Sequence, residues 1–213
     1  IWDLAPPNAG SEFYNYKGSH SLVLLAICDY RYNFTLVDIG ATGRQSDGGI
    51  FACSEIGKRL NSAQLNIPPF LRITEDGPQM PHVLVGDEAF PLLINLLRPY
   101  PRSLVLGVEE LVFNYRLSRA RLTIENTFGI LASRWRIFSR SITAKLENVE
   151  NIIKATVCLH NFIMKKKNSW YFMPNLVDQE KPNKTVTPGT WRQDTSILKP
   201  IGRLGIIWEL PKQ

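Results

Sequence analysis

Apolar positions in the segment Phe113–Phe138, FNYRLSRARLTIENTFGILASRWRIF, recur at Leu117, Ala120, Ile124, Phe128, Leu131, Trp135 and Phe138, in steps of 3, 4, 4, 3, 4 and 3 residues. That is the period of a helix with one buried face, so the pattern predicts a long amphipathic α-helix. Upstream, Ser21–Cys28 (SLVLLAIC) and Asn33–Ile39 (NFTLVDI) are strand-forming runs separated by Asp29-Tyr30-Arg31-Tyr32, which predicts a β-hairpin. A loop follows, GATGRQSDGGIF, with Gly at 40, 43, 48 and 49, and then a helix to Leu60 capped by Ser46 or Asp47. Val83, Leu84 and Val85, closed off by Gly86, read as a short strand buried on both faces. Ala89–Leu97 reads as a helix that Pro99 and Pro101 stop, and Ile152–Met164 as a largely apolar helix.

From Asn168 to Gln213 no period is sustained, and prolines stand at 174, 182, 188, 200 and 211. The expected organisation is one domain over 1–167 and a mostly irregular tail over 168–213. Within the tail, SWYFMPNLVDQ is expected to pack back through Trp170, Tyr171 and Phe172, and ILKPIGRLGIIWELPKQ to form a hairpin or a disordered end.

At 213 residues and 44% hydrophobic content the chain can bury one sizeable core. No run of 18 apolar residues suggests a membrane span, and the chain opens without a signal-peptide pattern. Three cysteines without a disulfide framework point to a reducing compartment, where the acceptor patterns at Asn33 and Asn183 are chance matches. The net charge of +6 and pI near 9.3 suit a polyanionic partner. Its distribution sharpens the point, because Arg116, Arg119, Arg121, Arg134, Arg136 and Arg140 flank a single acid, Glu125. Such a patch could neutralise phosphates, with Tyr115 and Trp135 as candidate base-stacking rings. A solvated helix face explains the same charges, as a helix C-terminus explains Lys165-Lys166-Lys167 besides a weak nuclear-localisation reading.

Three acids are candidates for chemistry. Glu125 lies one residue past Ile124, about 100° around the helix, and so at the edge of the buried stripe. It suits a cleft, or a modest pair with Arg121 four residues before it. Asp87 follows the Val83–Val85 strand, where open α/β sheets place catalytic groups, and could equally cap the next helix. Asp47 follows the hairpin and the Gly-rich loop, which lacks the GK[ST] ending of a phosphate-binding P-loop. Glu88 reads as solvated. His20, His82 and His160 with Cys28, Cys53 and Cys158 show no zinc-ligand spacing, and Cys158 and His160 read as buried packing residues.

Five blocks in order resemble the PIF/Harbinger transposase-derived nucleases of the DDE superfamily. They are APPNAGSEFYNYKGSHSLVLLAICD, VDIGATGRQSDGGIF, VGDEAFPLLINLLRPYP, FNYRLSRARLTIENTFGILASRWRIF and ATVCLHNFIM, spanning about Ala5 to Met164. The resemblance implies an α/β fold with an RNase H-like core, a mixed sheet flanked by helices. It further implies that Asp87, Glu125 and Asp47 converge on divalent metal, Mg²⁺ or Mn²⁺, while Asp38 stays outside the metal set. Converging carboxylates suit phosphodiester cleavage, in which two ions about 3.5–4 Å apart stabilise the attacking and leaving oxygens. Oxygen donors alone satisfy Mg²⁺.

The family pattern also places an Asp-Gly motif followed by His just before Ala5-Pro6-Pro7-Asn8, where this chain has Ile1-Trp2-Asp3-Leu4. The chain is therefore expected to be a fragment of a longer product, or a remnant whose site is damaged. Two function classes follow. One is a nuclear, or cytoplasmic, metal-dependent DNA endonuclease that works with a Myb-like DNA-binding partner. The other is an inactive DNA-binding or protein-interaction remnant that keeps the fold and the basic face.

Overall fold

The computed structural model describes residues 11–15, 20–101, 103, 105–139, 142–167, 170–194 and, for its backbone, the strand 206–207. The Ala5–Asn8 stretch, Arg140 and most of the final segment lie outside the described residues. The fold is mixed α/β, with two long helices packed on small sheets. No helix among the described residues is long and apolar enough to cross a membrane.

The hairpin forms as its pattern predicts: β1 (Leu22–Cys28) pairs antiparallel with β2 (Phe34–Thr42), setting Leu25 opposite Asp38 and Ile27 opposite Leu36. Its turn closes because the Asp29 carboxylate accepts from the backbone N–H groups of Arg31 and Asn33. The single helix expected up to Leu60 is two, α1 (Asp47–Cys53) and α2 (Glu55–Asn61). Ser46 caps the first, and Ser54 breaks the run by capping the second through the Gly57 N–H at 2.9 Å. Asp38 accepts from the Glu55 N–H at 3.0 Å, so it serves the start of α2.

A ribbon of β3 (Leu71–Arg72) and β4 (Gln79–Met80) precedes β5 (Leu84–Val85). The helix expected over Ala89–Leu97 does not form. Pro91 interrupts the segment, Leu92 and Ile94 are exposed while Leu96 is buried, and Leu96–Leu97 becomes β6, parallel to β5. A turn at Ile94-Asn95 leads into the two-residue strand, and pairing with the buried β5 outweighs local helix propensity. The strand β9 (Ile206–Ile207) pairs antiparallel with β5 on its other side, the one part of the final segment that is described.

The long helix α3 runs Val108–Arg134 and buries Leu117, Ile124, Phe128 and Leu131, followed by Phe138 in the next turn. The second long helix, α4 (Leu146–Lys165), buries Val149, Ile153 and Val157 in the same core. Cys158, expected to be buried, is exposed, because it falls on the face of α4 turned from that stripe. Asn161 binds the start of β2 in both directions, donating to the Phe34 carbonyl at 2.7 Å and accepting its N–H at 2.8 Å.

Beyond α4, residues 170–194 lie against α3. They carry the ribbon β7 (Gln179–Glu180) and β8 (Val186–Thr187), and they bury Tyr171, Leu176 and Val177, whereas Trp170 is exposed. A polar relay ties this segment to the core. The Trp135 indole donates to the Tyr171 hydroxyl at 3.0 Å, which donates to His160 Nδ1 at 2.8 Å. His160 Nε2 then donates to the Tyr32 carbonyl at 2.7 Å, and every buried polar atom of the relay has a partner.

Burial lowers the His160 pKa to about 4 from an ordinary 6.5, with the Tyr32 hydrogen bond opposing the shift. Between those values the unfolded chain binds a proton that the native state refuses. Stability is therefore full above about pH 6.5 and falls as pH drops towards 4, with His160 contributing up to about 3 kcal/mol of the loss. Urea melts across pH 4–7 check this: a His160→Gln variant should show a markedly shallower decline, and parallel curves would contradict it.

Candidate active site between Asp87 and Glu125

The site is built where β5 meets α3. Gly86 ends the strand with no room for a side chain beside the Phe90 ring, and Asp87 turns out of the sheet. Its Oδ1 accepts the Ala89 N–H at 2.9 Å, an Asx turn where a helix cap was one of the expected readings. From α3, Glu125 reaches the same space one position past the buried Ile124. Arg121 lies between them, its Nη2 3.9 Å from Asp87 Oδ2 and 4.0 Å from Glu125 Oε1. One guanidinium nitrogen is thus nearly equidistant from the two carboxylates. A cleft of about 430 Å³, lined by Asp87, Tyr100, Asn114, Ser118 and Arg121 among others, lies on the Asp87 and Arg121 side of this point, and Glu125 is not part of its lining.

Asp47 is the first residue of α1 and is not gathered with Asp87 and Glu125 into a three-acid cluster. A Cβ on its neighbour Gly48 would stand 2.7 Å from the Ala89 carbonyl oxygen, so α1 starts directly against the turn that holds Asp87. Among the described residues no three His, Cys, Asp or Glu side chains are close enough together to hold a metal ion. Glu88 is exposed.

The consecutive residues of α3 around Glu125 divide the labour. Ile124 and Phe128 enter the core. Thr127 is fully buried and donates to the Thr123 carbonyl. Asn126, 2% exposed, points at the segment 170–194, its Oδ1 accepting the Asp178 N–H at 3.0 Å and the Trp191 indole N–H at 2.9 Å. Gly129 gives the Trp191 ring a place to lie, and a Cβ there would collide with the indole.

That docking brings Arg192 onto Glu125. Arg192 Nη2 meets Glu125 Oε2 at 2.8 Å, while its Nε donates to both oxygens of Asp178 at 2.8 and 2.9 Å. The Asp178 bonds, supported by Glu125, raise the Arg192 pKa above its already high value. Sequence reasoning placed Asp178 and Arg192 in an irregular tail. The available signal was a Trp-Arg pair in a stretch with few other aromatics, which no period connects to α3.

The arginines expected to flank Glu125 have separate environments. Arg116 is exposed, and Arg119 lies over the Tyr115 ring at 4.9 Å and donates to the Lys184 carbonyl. The Tyr115 hydroxyl donates to Glu180, so ring and guanidinium both serve the β7–β8 ribbon. Arg134 donates to the Tyr171 carbonyl at 2.7 Å, and Arg136, 60% exposed, pairs with Asp194 at 3.1 Å. Arg121 stands between the two acids at ion-pair distance without a hydrogen bond to either, and its buried Nε has no hydrogen-bond partner among the described residues.

Substituting Gly129 with Ala should displace Trp191 and loosen 178–192, at a cost of about 1–3 kcal/mol. Limited proteolysis checks it: cleavage within 178–192 should accelerate several-fold over the parent, and an unchanged rate would refute the docking.

Residues 4–161 match the family described as DDE superfamily endonuclease. The chain is 33% identical over 151 residues to "Protein ALP1-like" of Arabidopsis thaliana, covering 68% of this chain and 35% of that protein. It is 28% identical over 184 residues to the human protein named "Putative nuclease HARBI1", covering 83% of this chain and 47% of the relative. The mouse protein of that name is 30% identical over 163 residues, covering 73% and 41%. The chain thus spans between about a third and a half of the length of these relatives. No solved structure matches it significantly. With strand-end Asp87 and helical Glu125 both inside the matched region, the chain belongs to the DDE superfamily of endonucleases, among the Harbinger transposase-derived nucleases.

Proposed function

We propose that this chain carries the catalytic region of a divalent-metal-dependent DNA endonuclease, with an RNase H-like core and with Asp87, Glu125 and Asp47 as its acidic set. The observation that carries the reading is the opposition of Asp87 and Glu125 across one cationic nitrogen at 3.9 and 4.0 Å. Two carboxylates from separate elements that draw a guanidinium between them form a field in which a hard cation is favoured. The donor set is all oxygen and fits Mg²⁺ or Mn²⁺, with the Arg121 head moving aside. A divalent ion held there supplies the Lewis acid that stabilises charge on the reacting phosphate oxygens.

The chain's own groups have complementary tasks in this reading. Asp87 is fixed by its bond to the Ala89 N–H, so one oxygen stays presented to the cleft. Arg121, released from the carboxylates, stands at the cleft wall where a phosphate would enter, and exposed Arg116 extends the positive charge along α3. DNA as substrate, the nucleus as the place of action and a Myb-like DNA-binding protein as partner belong to the same proposal. The names of the human and mouse relatives support nuclease chemistry. A second reading, a non-catalytic DNA-binding or interaction remnant, draws on the same geometry, since both acids already have guanidinium partners.

Nicking of supercoiled plasmid in Mn²⁺ at low salt separates the two. The proposal expects nicking by the chain, its loss in Glu125→Gln, and nearly unchanged DNA affinity in that variant. Nicking that persists in Glu125→Gln would remove Glu125 from the acidic set, and no nicking by either protein would favour the second reading.

A further inference from the structure

We infer that Asp178 and Arg192, both beyond the region that matches the family, are positioning residues for the Glu125 carboxylate, so that residues 170–194 form part of the functional unit. The inference rests on Glu125 being a metal-site acid.

Arg192 is immobilised from several sides. Asp178, its side chain 1% exposed, accepts from Nε and Nη2 and is itself fixed by the Gly189 N–H at 2.8 Å. The guanidinium lies over the Trp191 indole at 4.3 Å, and that indole is anchored to Asn126 on α3. A fork held this way has little rotamer freedom left to lose, and its Nη2 fixes Glu125 Oε2 at 2.8 Å. The other oxygen, Oε1, is the one that faces Arg121 and, across it, Asp87. One oxygen is pinned and its twin is presented, which is how outer groups orient a ligating carboxylate.

The charges favour orientation over blockade. Arg192 alone would repel a divalent ion and neutralise Glu125, but the buried Asp178 carboxylate cancels its charge at hydrogen-bond distance. The pair therefore supplies direction with little net positive field. Asn126, Gly129 and Trp191 make the docking that brings it to α3.

The test measures Mn²⁺ affinity by calorimetry, and melting temperature, on the full chain and on Glu125→Gln, Arg192→Ala, Arg192→Lys, Asp178→Asn and the double variant Arg192→Ala with Glu125→Gln. Loss of an outer-shell partner typically costs about 10–100-fold in metal affinity, and that is the loss expected for Arg192→Ala. Asp178→Asn should weaken binding similarly, and Arg192→Lys should recover part of it. The double variant should bind no more weakly than Glu125→Gln alone, because Arg192 acts through that carboxylate. Should Arg192→Ala fail to fold, Arg192→Lys and Asp178→Asn decide the matter. Folded Arg192 variants that bind Mn²⁺ like the parent, or more tightly, while Glu125→Gln weakens it would overturn this inference and leave the proposed function standing. An unchanged affinity in Glu125→Gln would overturn both.

Discussion

Burial of one stripe of α3 is the constraint on which the rest of the molecule depends. Leu117, Ile124, Phe128 and Leu131 lock that helix into the core against β1 and α4. Once its rotation is fixed, every other position on it has a fixed direction. Glu125 is set at the stripe's margin towards the end of β5, Asn126 towards the segment 170–194, and Gly129 beneath the Trp191 ring. A rotation that moved Glu125 would also expose Ile124 and Phe128, so orientation of the acid and stability of the core are the same constraint.

The site that results is a chain of alternating charge. Asp87, Arg121, Glu125, Arg192 and Asp178 follow one another in space, three carboxylates against two guanidiniums, which leaves one net negative charge beside a cleft. The two ends differ. Asp178 is buried, serving Arg192 and the Gly189 N–H, whereas Asp87 and Glu125 keep access to solvent. The Asp178 end is therefore a fixed strut and the Asp87 end the open one.

What the sequence made legible is what local periodicity controls. The hairpin, the buried β5 and the long helices were legible as apolar runs and a helical repeat. However, α3 departs from the single buried face expected of it: from Asn126 to Ala132 every residue is buried, because the segment 170–194 covers the side turned from the core. The helix expected over Ala89–Leu97 fails because a nearly continuous apolar run interrupted by Pro91 carries no clear period, and parallel pairing of Leu96–Leu97 with β5 decides the outcome. Asp87 and Glu125 were legible through their places at a strand end and a stripe edge. Asp178 and Arg192 were not, since 52 residues of sequence separate Asp178 from the Asn126 that binds its backbone. The arginines misled in a different way: their spacing on one helix suggested a single basic face, whereas Arg119, Arg121 and Arg134 each meet a different partner. A charge run shows how much charge is present but not what each head will find.

The most direct measurement of the central claim, that Asp87 and Glu125 share one cation site, is selective line broadening of backbone amide NMR signals by substoichiometric Mn²⁺. Gly86, Asp87 and Ala89 should broaden together with Glu125 and its α3 neighbours at the lowest metal ratio, and Glu125→Gln should suppress both sets. Broadening confined to one of the two elements, or centred on exposed acids such as Glu55 or Glu109, would contradict it.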